Sequence, residues 1–427
     1  MFYRFLLTAI MLFYGYAVMA AHETATKVVS LDSVRTLIGQ NRSLIIENLS
    51  RQIARDNLQQ SKSERLPELL LGGDGYWSNS VPLKSQAASS NSFIYKFNLG
   101  TEFDLYSGGK YKYANEEKRK SVQYSEERYR AVEEEIELEA FVMLYDIFRN
   151  IKYREFLQKS IDLRQKEYER IKLLYENGYV LKSDLLRSKL YITDLQKDEV
   201  NIKNSILILS DKLRVLLGME TPCLLQPDLE ESLDFKITRS FEELLDHALM
   251  ESPHIKMRKI QSERESAVLK GIKSERIPHF KLYANYGVGT PLGVCDFDHQ
   301  LGGEVGLKMS FSISSFYKSH HASKSKQHRI IQSEIETDDM ADKLRNRIHE
   351  LYVRYNESLL NIDRAKEKVN LSKESTRILR NSYFNQQSLL IDVLESETKA
   401  MEAAFEWVQA VVDSQKYYWA LQKICGY

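Results

Sequence analysis

The stretch Lys110-Tyr-Lys-Tyr-Ala-Asn-Glu-Glu, running on to Leu173-Leu-Tyr-Glu176, holds no Gly or Pro, and the break comes only at Asn177-Gly178. Charged and apolar residues are mixed throughout it. At about 1.5 Å per residue, an unbroken helix over 110–176 reaches roughly 100 Å, several times the ordinary globular length. Gly178 ends it, and Ser183 or Asp184 can cap the helix that follows, because a short oxygen-bearing side chain accepts a free backbone N–H there. The chain is therefore expected to climb as a rod, turn within a few residues and return beside itself.

The same plan occurs twice. Ser63-Glu-Arg-Leu-Pro67 recurs as Ser274-Glu-Arg-Ile-Pro278. Tyr175-Glu-Asn177 with Asp184-Leu-Leu186 recurs as Tyr383-Phe-Asn385 with Asp392-Val-Leu394, and Leu217-Gly218 matches Cys425-Gly426. Landmarks in one order, all about 210 residues apart, mark an internal duplication. The expected organisation is a signal peptide at 1–20, a first repeat at 21–218, a linker at 219–240 and a second repeat at 241–427. In the first repeat a hairpin at 67–106 precedes the long helix 110–176 and a return helix 183–217. In the second, the corresponding segments are 278–314, 318–384 and 390–424. The linker, with Pro222 and Pro227, is expected to leave the helical wall at mid-height as a belt.

The hairpins alternate with period two. Tyr95, Phe97, Leu99, Thr101, Phe103 and Leu105 are interleaved with Lys96, Asn98, Gly100, Glu102 and Asp104. Val305, Leu307, Met309, Phe311 and Ile313 repeat the pattern, and Phe280, Leu282, Ala284, Tyr286 and Val288 form the partner. Such runs predict strands with one apolar and one polar face. A half-buried soluble sheet would show the same alternation in any single strand. Four such strands beside an export signal point instead to a membrane barrel, apolar outward and polar inward. Phe97, Leu99, Phe103, Leu282, Leu307 and Phe311 are the expected lipid-facing residues. The polar segments Ser78–Asn91 and Thr290–Gln300 read as its outer loops. Four strands cannot close, and open edges are not tolerated in lipid, so several chains must share one barrel. Three chains would supply twelve strands.

Lys+Arg and Asp+Glu both total 60, so charge gives no sign of nucleic acid. Arg4, the apolar run Phe5–Phe13 and Val18-Met-Ala20 have the order of an export leader cleaved before Ala21; a membrane anchor is the competing reading. Three scattered cysteines make no disulfide framework. Neither His320-His321 with His328 nor Cys295-Asp-Phe-Asp-His299 has metal-ligand spacing. Gly287–Gly293 lacks the third Gly of a dinucleotide fingerprint and the Lys of a phosphate loop. No cofactor, metal or catalytic constellation is expected.

The return helices carry coiled-coil seams. Leu195, Ile202, Ile206, Leu209, Leu213 and Leu216 are spaced seven, four, three, four and three, and Leu394, Met401, Phe405, Val408 and Val412 seven, four, three and four.

Taken together, this organisation resembles the TolC-like outer membrane efflux proteins over about Leu31 to Tyr427. The strand-to-helix junction Leu105-Tyr-Ser-Gly-Gly-Lys110 is similar to that family's double-glycine signature. Gly178, Asp184 and Leu185 match its tip pattern, and Ala248-Leu249 with Ser252-Pro253 its break. Gln386 stands where the second tip Gly would be, Phe316-Tyr317 replace the second double Gly, and Arg42 replaces the first Pro. The resemblance implies a mainly α fold with membrane β: a long coiled-coil α-barrel joined to a twelve-stranded transmembrane β-barrel shared by a homotrimer, four strands per chain. It also implies a Gram-negative outer membrane location with a periplasmic helical tunnel, and export together with a periplasmic adaptor protein and an inner-membrane pump. By the same resemblance, Asp392 and Glu395 ring the periplasmic entrance, and Ser183, Asp184 and Tyr383 form the latch that holds it shut. Ser388 replaces the usual basic member of that latch. A solvated helix face is the plainer reading of the acidic pair, and simple capping that of Asp184. Drug efflux, metal-ion efflux and polypeptide secretion share such a duct; an exported coiled-coil scaffold outside any membrane is the alternative of a different class.

Overall fold

The computed structural model describes residues 26–80, 90–229, 233, 235–289 and 300–426. The leader, the tips of both hairpin loops and the Cys295–His299 segment lie outside the described residues. The first half runs β1 (Thr26–Val29), α1 (Leu31–Leu37), a 3₁₀ turn (Ile38–Gln40), α2 (Arg42–Ser63), β2 (Glu68–Ser80), β3 (Ser90–Tyr106), α3 (Lys110–Glu176) and α4 (Lys182–Leu216). After β4 (Leu224–Pro227), the second half runs α5 (Phe241–Glu251), α6 (Pro253–Ser274), β5 (His279–Gly289), β6 (Gln300–Ser310), α7 (Ser315–Phe384) and α8 (Leu390–Ile424).

The repeats match helix for helix. α2 and α6 each have 22 residues, α4 and α8 each have 35, and α3 and α7 have 67 and 70. The halves differ in how their joints are made. At the first break Asn41 Oδ1 accepts the N–H groups of Ser43 (2.7 Å) and Leu44, while its Nδ2 donates to the Leu216 carbonyl at 2.7 Å. One amide thus caps α2 and closes the end of α4. At the second break Pro253 opens α6, where a missing N–H costs nothing. His247 Nδ1 lies 2.6 Å from the Cys425 carbonyl at the end of α8.

Two compact units divide the chain. One comprises Met1–Glu47, Arg130–Ser252 and Ala341–Tyr427. Its core lies on α3, where Phe141, Leu144, Tyr145 and Ile147 are fully buried. Trp419 of α8 packs its ring 4.7 Å from Phe141 and donates its indole N–H to the Tyr145 hydroxyl. The Arg35 guanidinium lies over Phe141 and Trp419 while its Nε bonds Glu137 at 2.8 Å. The linker is fastened to the same unit. β4 pairs in parallel with β1, Phe235 stacks on Tyr418, and Gln415 donates to the Leu233 and Phe235 carbonyls.

The other unit comprises Asn48–Tyr129 and Pro253–Met340. It holds one four-stranded sheet in the order β2-β3-β5-β6, antiparallel throughout, so the middle pair joins the two repeats. β2 and β6 are its edges. A bulge at Leu105 ends the alternation of β3, and Tyr106 rather than Leu105 faces Phe280.

Three expectations are corrected here. α4 begins at Lys182 with Leu181 as its flanking residue, so neither Ser183 nor Asp184 is the cap; Asp184 lies inside the first turn. α7 begins at Ser315 rather than at Lys318. β6 ends at Ser310, leaving Phe311 and Ile313 outside the paired strand, because the Ser312 carbonyl is taken by Ser315 N–H (3.1 Å) and Oγ (2.6 Å) as the chain turns into α7.

Candidate functional site

The turn between α3 and α4 and the turn between α7 and α8 carry the residues expected at an entrance. Gly178 adopts φ +76°, and around it Tyr179 N–H donates to Leu174 O and Gly178 N–H to Tyr175 O. The second turn repeats both bonds, Gln387 N–H to Ser382 O and Gln386 N–H to Tyr383 O. This is the glycine-type helix stop of paired backward bonds, made once with Gly and once with Gln.

Between the turns a small core forms from Ile171, Tyr383, Leu390, Val393 and Leu394, with Val180, Leu185 and Tyr191 packed against it. Tyr383 is 9% exposed, and its hydroxyl makes no hydrogen bond among the described residues. Burial, and after it the Asp184 carboxylate, push the Tyr383 phenol up to about 12. The Asp184 carboxylate thus opposes ionisation of the Tyr383 phenol without sharing a hydrogen bond with it inside one protomer. Ser183 is exposed, and the Ser388 hydroxyl donates to the Leu379 carbonyl at 3.2 Å.

Asp392 and Glu395 lie in the first turns of α8, both exposed and on one face. Asp392 Oδ2 also accepts the Leu389 N–H at 3.2 Å, so this acid caps its helix as well as facing outward. Glu395 lines an open groove of about 510 Å³ with Arg187, Leu190, Asp194 and Lys399.

Next to this tip lies a charge cluster that sequence reasoning missed. Arg164 and Glu167 of α3 pair with each other, Arg164 also pairs with Glu397 of α8, and Arg380 of α7 reaches Glu167 at 2.9 Å and Glu397 at 2.7 Å. Arg164 and Glu397 are both more than nine-tenths buried. Burial raises the Glu167 carboxyl above its ordinary range, with Arg164 and Arg380 opposing that shift and Glu397 adding to it. Tyr191 of α4 and Thr398 of α8 join hydroxyls at 2.9 Å beside it. The cluster ties three helices together with two cations and two anions.

In the other unit the sheet presents one apolar face. Phe103, Leu282 and Leu307 are direct partners on β3, β5 and β6. Leu71, Leu99 and Tyr286 make a second such row, and Phe97 lies opposite Gly73 with its ring over the glycine. These side chains meet no protein core: Phe97 is 58% and Leu307 62% exposed. Phe311, beyond the strand, packs edge-on against Phe316 at 6.1 Å. The opposite face holds Lys281 between Glu102 (3.3 Å) and Asp104 (3.7 Å), and Asn285 bonded to Glu304 at 2.9 Å.

No helix among the described residues is long and apolar enough to cross a membrane, and no cluster of His, Cys, Asp and Glu among them has the grouping of a metal site. His320 and His321 touch edge-on but gather no third ligand.

Residues 34–219, the first repeat, match the family model of outer membrane efflux proteins. No curated protein matches by sequence. Solved structures share the fold at low identity. The outer-membrane channel OprN is 13% identical with a TM-score of 0.80, over 93% of this chain and 89% of that one. The outer membrane protein VceC from Vibrio cholerae is 16% identical with a TM-score of 0.77, over 93% and 96%. CusC, whose structures concern folding and transmembrane channel formation, is 17% identical with a TM-score of 0.79, over 92% of each chain. The matched segment is repeated element for element in the second half; the first repeat is similar in sequence to the outer membrane efflux proteins, and nearly the whole chain shares the fold of these channels.

Proposed function

We propose that three copies of this chain close one twelve-stranded barrel and one helical tunnel, forming a passive export duct fed by an inner-membrane pump through a periplasmic adaptor. The observation that carries this reading is the open sheet: four strands, one apolar face bare of core, and unpaired edges on β2 and β6. Such a sheet is stable in lipid only when its edges meet other copies. The helices have the same need. On α7, Val353, Leu360, Leu371 and Ile378 remain half exposed or more at spacings of seven, eleven and seven, a seam awaiting a partner helix.

In this reading Asp392 and Glu395, brought together threefold, line the entrance and favour cations over anions. Tyr383 and Asp184 complete their hydrogen bond across the assembled entrance. The substrate is chosen by the pump, so efflux of small molecules and secretion of polypeptides are both within the duct's capacity. Native mass measurement of the detergent-extracted chain is the test. A trimer is expected; a folded monomer, or a chain extracted without detergent, would overturn the shared barrel.

A further inference from the structure

The first turns of α7 have a composition found nowhere else in the chain. Between Glu304 and Glu334 there is no carboxylate, while Lys308, Lys318, Lys324, Lys326 and Arg329 fall there with His320, His321 and His328. One side of this helix is fixed. Ser315, Ser319 and Ser323 are buried, Arg276 in the turn after α6 donates to the Ser319 and Ser323 hydroxyls, and Lys326 is taken by Glu265.

The other side continues the apolar face of the sheet. Phe311, in the alternation of Leu307 and Met309, touches Phe316 in the first turn of α7. At about 100° per residue, His320, Lys324 and Gln327 follow Phe316 down that side, with Tyr317, His321 and His328 beside them. All of these are exposed, Phe316 by 51% and Tyr317 by 67%. The order away from the strands is therefore aromatic first, then cationic and hydrogen-bond-donating. That is the order of chemistry met on leaving a bilayer, from acyl chains through the interface to the phosphate layer.

We propose that this face of α7 is a binding site for the phosphodiester headgroup of an anionic glycerophospholipid in the periplasmic leaflet. Phe316 and Tyr317 sit at the interface, Lys324 contributes the charge, and His320 donates an N–H group to a phosphate oxygen. Lys324 lies two turns, roughly 12 Å, below Phe316, and its flexible stem reaches back toward the interface. The inference rests on the reading that the apolar sheet face meets lipid. It goes beyond that reading by giving the duct a preference among lipids.

The test uses the full chain in detergent, with phosphatidylglycerol and phosphatidylcholine added in equal amounts and retained lipid counted by native mass spectrometry. The wild type should retain phosphatidylglycerol preferentially, and Lys324→Gln should cut that preference about fivefold, the effect of one basic residue near an anionic surface. Adding His320→Ala should bring the two lipids to parity. Arg345→Gln, which removes an exposed ion pair with Asp342 in the other compact unit, should leave the preference unchanged. High salt should weaken the preference, since these groups are solvent-exposed. Equal retention by a wild type that needs detergent, or an unchanged preference in Lys324→Gln, would overturn the headgroup site alone. A chain that needs no detergent and retains neither lipid would overturn the membrane reading beneath it.

Discussion

Gln386 holds the same left-handed backbone position in the second tip turn that Gly178 holds in the first, at φ 62° against 76°. An L side chain is strained there, whereas Gly is not. Gln386→Gly should therefore stabilise the tip by up to about 1 kcal/mol, and Gly178→Ala should cost a similar amount, although nothing lies within 4 Å of an added Cβ. Chemical denaturation of both variants checks the pair; equal and opposite shifts are expected.

Neighbouring residues on β3 separate the two faces of the sheet. Leu99 lies on the apolar face and Asn98 on the polar one. Leu99→Arg should cost about 2–4 kcal/mol if it lies near the bilayer midplane, while Asn98→Arg should fold normally. Refolding yields into vesicles measure this, and equal tolerance would mean that the sheet is not in a bilayer.

Asp392 caps its own helix, and in the proposed duct it would also face the entrance, so the two roles need separate substitutions. Asp392→Ala removes the Leu389 cap and should cost about 1 kcal/mol apart from any effect on ions. Asp392→Asn with Glu395→Gln keeps an acceptor for the cap and removes only the charge. That double variant should raise anion passage and weaken block by multivalent cations in planar bilayers, with trimer yield unchanged. Conductance and block like the wild type would leave the two acids as a solvated helix face.

Tyr383→Phe removes a buried hydroxyl with no hydrogen bond among the described residues, so it should not destabilise a protomer. It should raise the open-state conductance of the assembled duct while leaving ion selectivity alone. A loss of protomer stability above about 1 kcal/mol would show that the hydroxyl is bonded within the protomer.

The buried cluster predicts a pH dependence. Glu167 has its folded pKa raised above 4.5, so the folded chain holds this proton more tightly than the unfolded one. The contribution is stabilising below the unfolded value and is lost as pH rises through the folded value. Glu167→Gln, which mimics the protonated form, should flatten the melting-temperature profile just above pH 4.5. Arg164→Met, by contrast, leaves Glu397 and Glu167 short of a cation and should cost about 3–5 kcal/mol.

Periodicity made the architecture legible. A run without Gly or Pro is one helix over Lys110–Glu176, and alternation placed Phe97, Leu99, Phe103, Leu282 and Leu307 on one face of one sheet. The end of β6 was not legible, because Phe311 continues the alternation and only the serine turn at Ser312–Ser315 stops the pairing. The charge cluster was hidden for a related reason. The seam of α8 steps seven residues from Leu394 to Met401, skipping the place where Glu397 and Thr398 sit. On α4 the step from Leu195 to Ile202 likewise skips Glu199, which pairs with Arg154. A missing apolar residue in a heptad was the available signal; the partners on α3 and α7 lie too far away in sequence for spacing to find them.

The parallel pairing of β1 with β4 sets a timetable for the growing chain. Thr26–Val29 meet their partners only when Leu224–Pro227 have arrived, after the whole of α3 and α4. The central strand pair of the sheet waits longer still, since β3 must be met by β5 from the other repeat. A polypeptide delivered from its N-terminus therefore carries an unmatched leading strand and an incomplete sheet for most of its passage, with loops of such length slow to close. Until His279–Gly289 arrives, one edge of β3 stays unpaired, and the apolar face that β2 and β3 share has only half its final width.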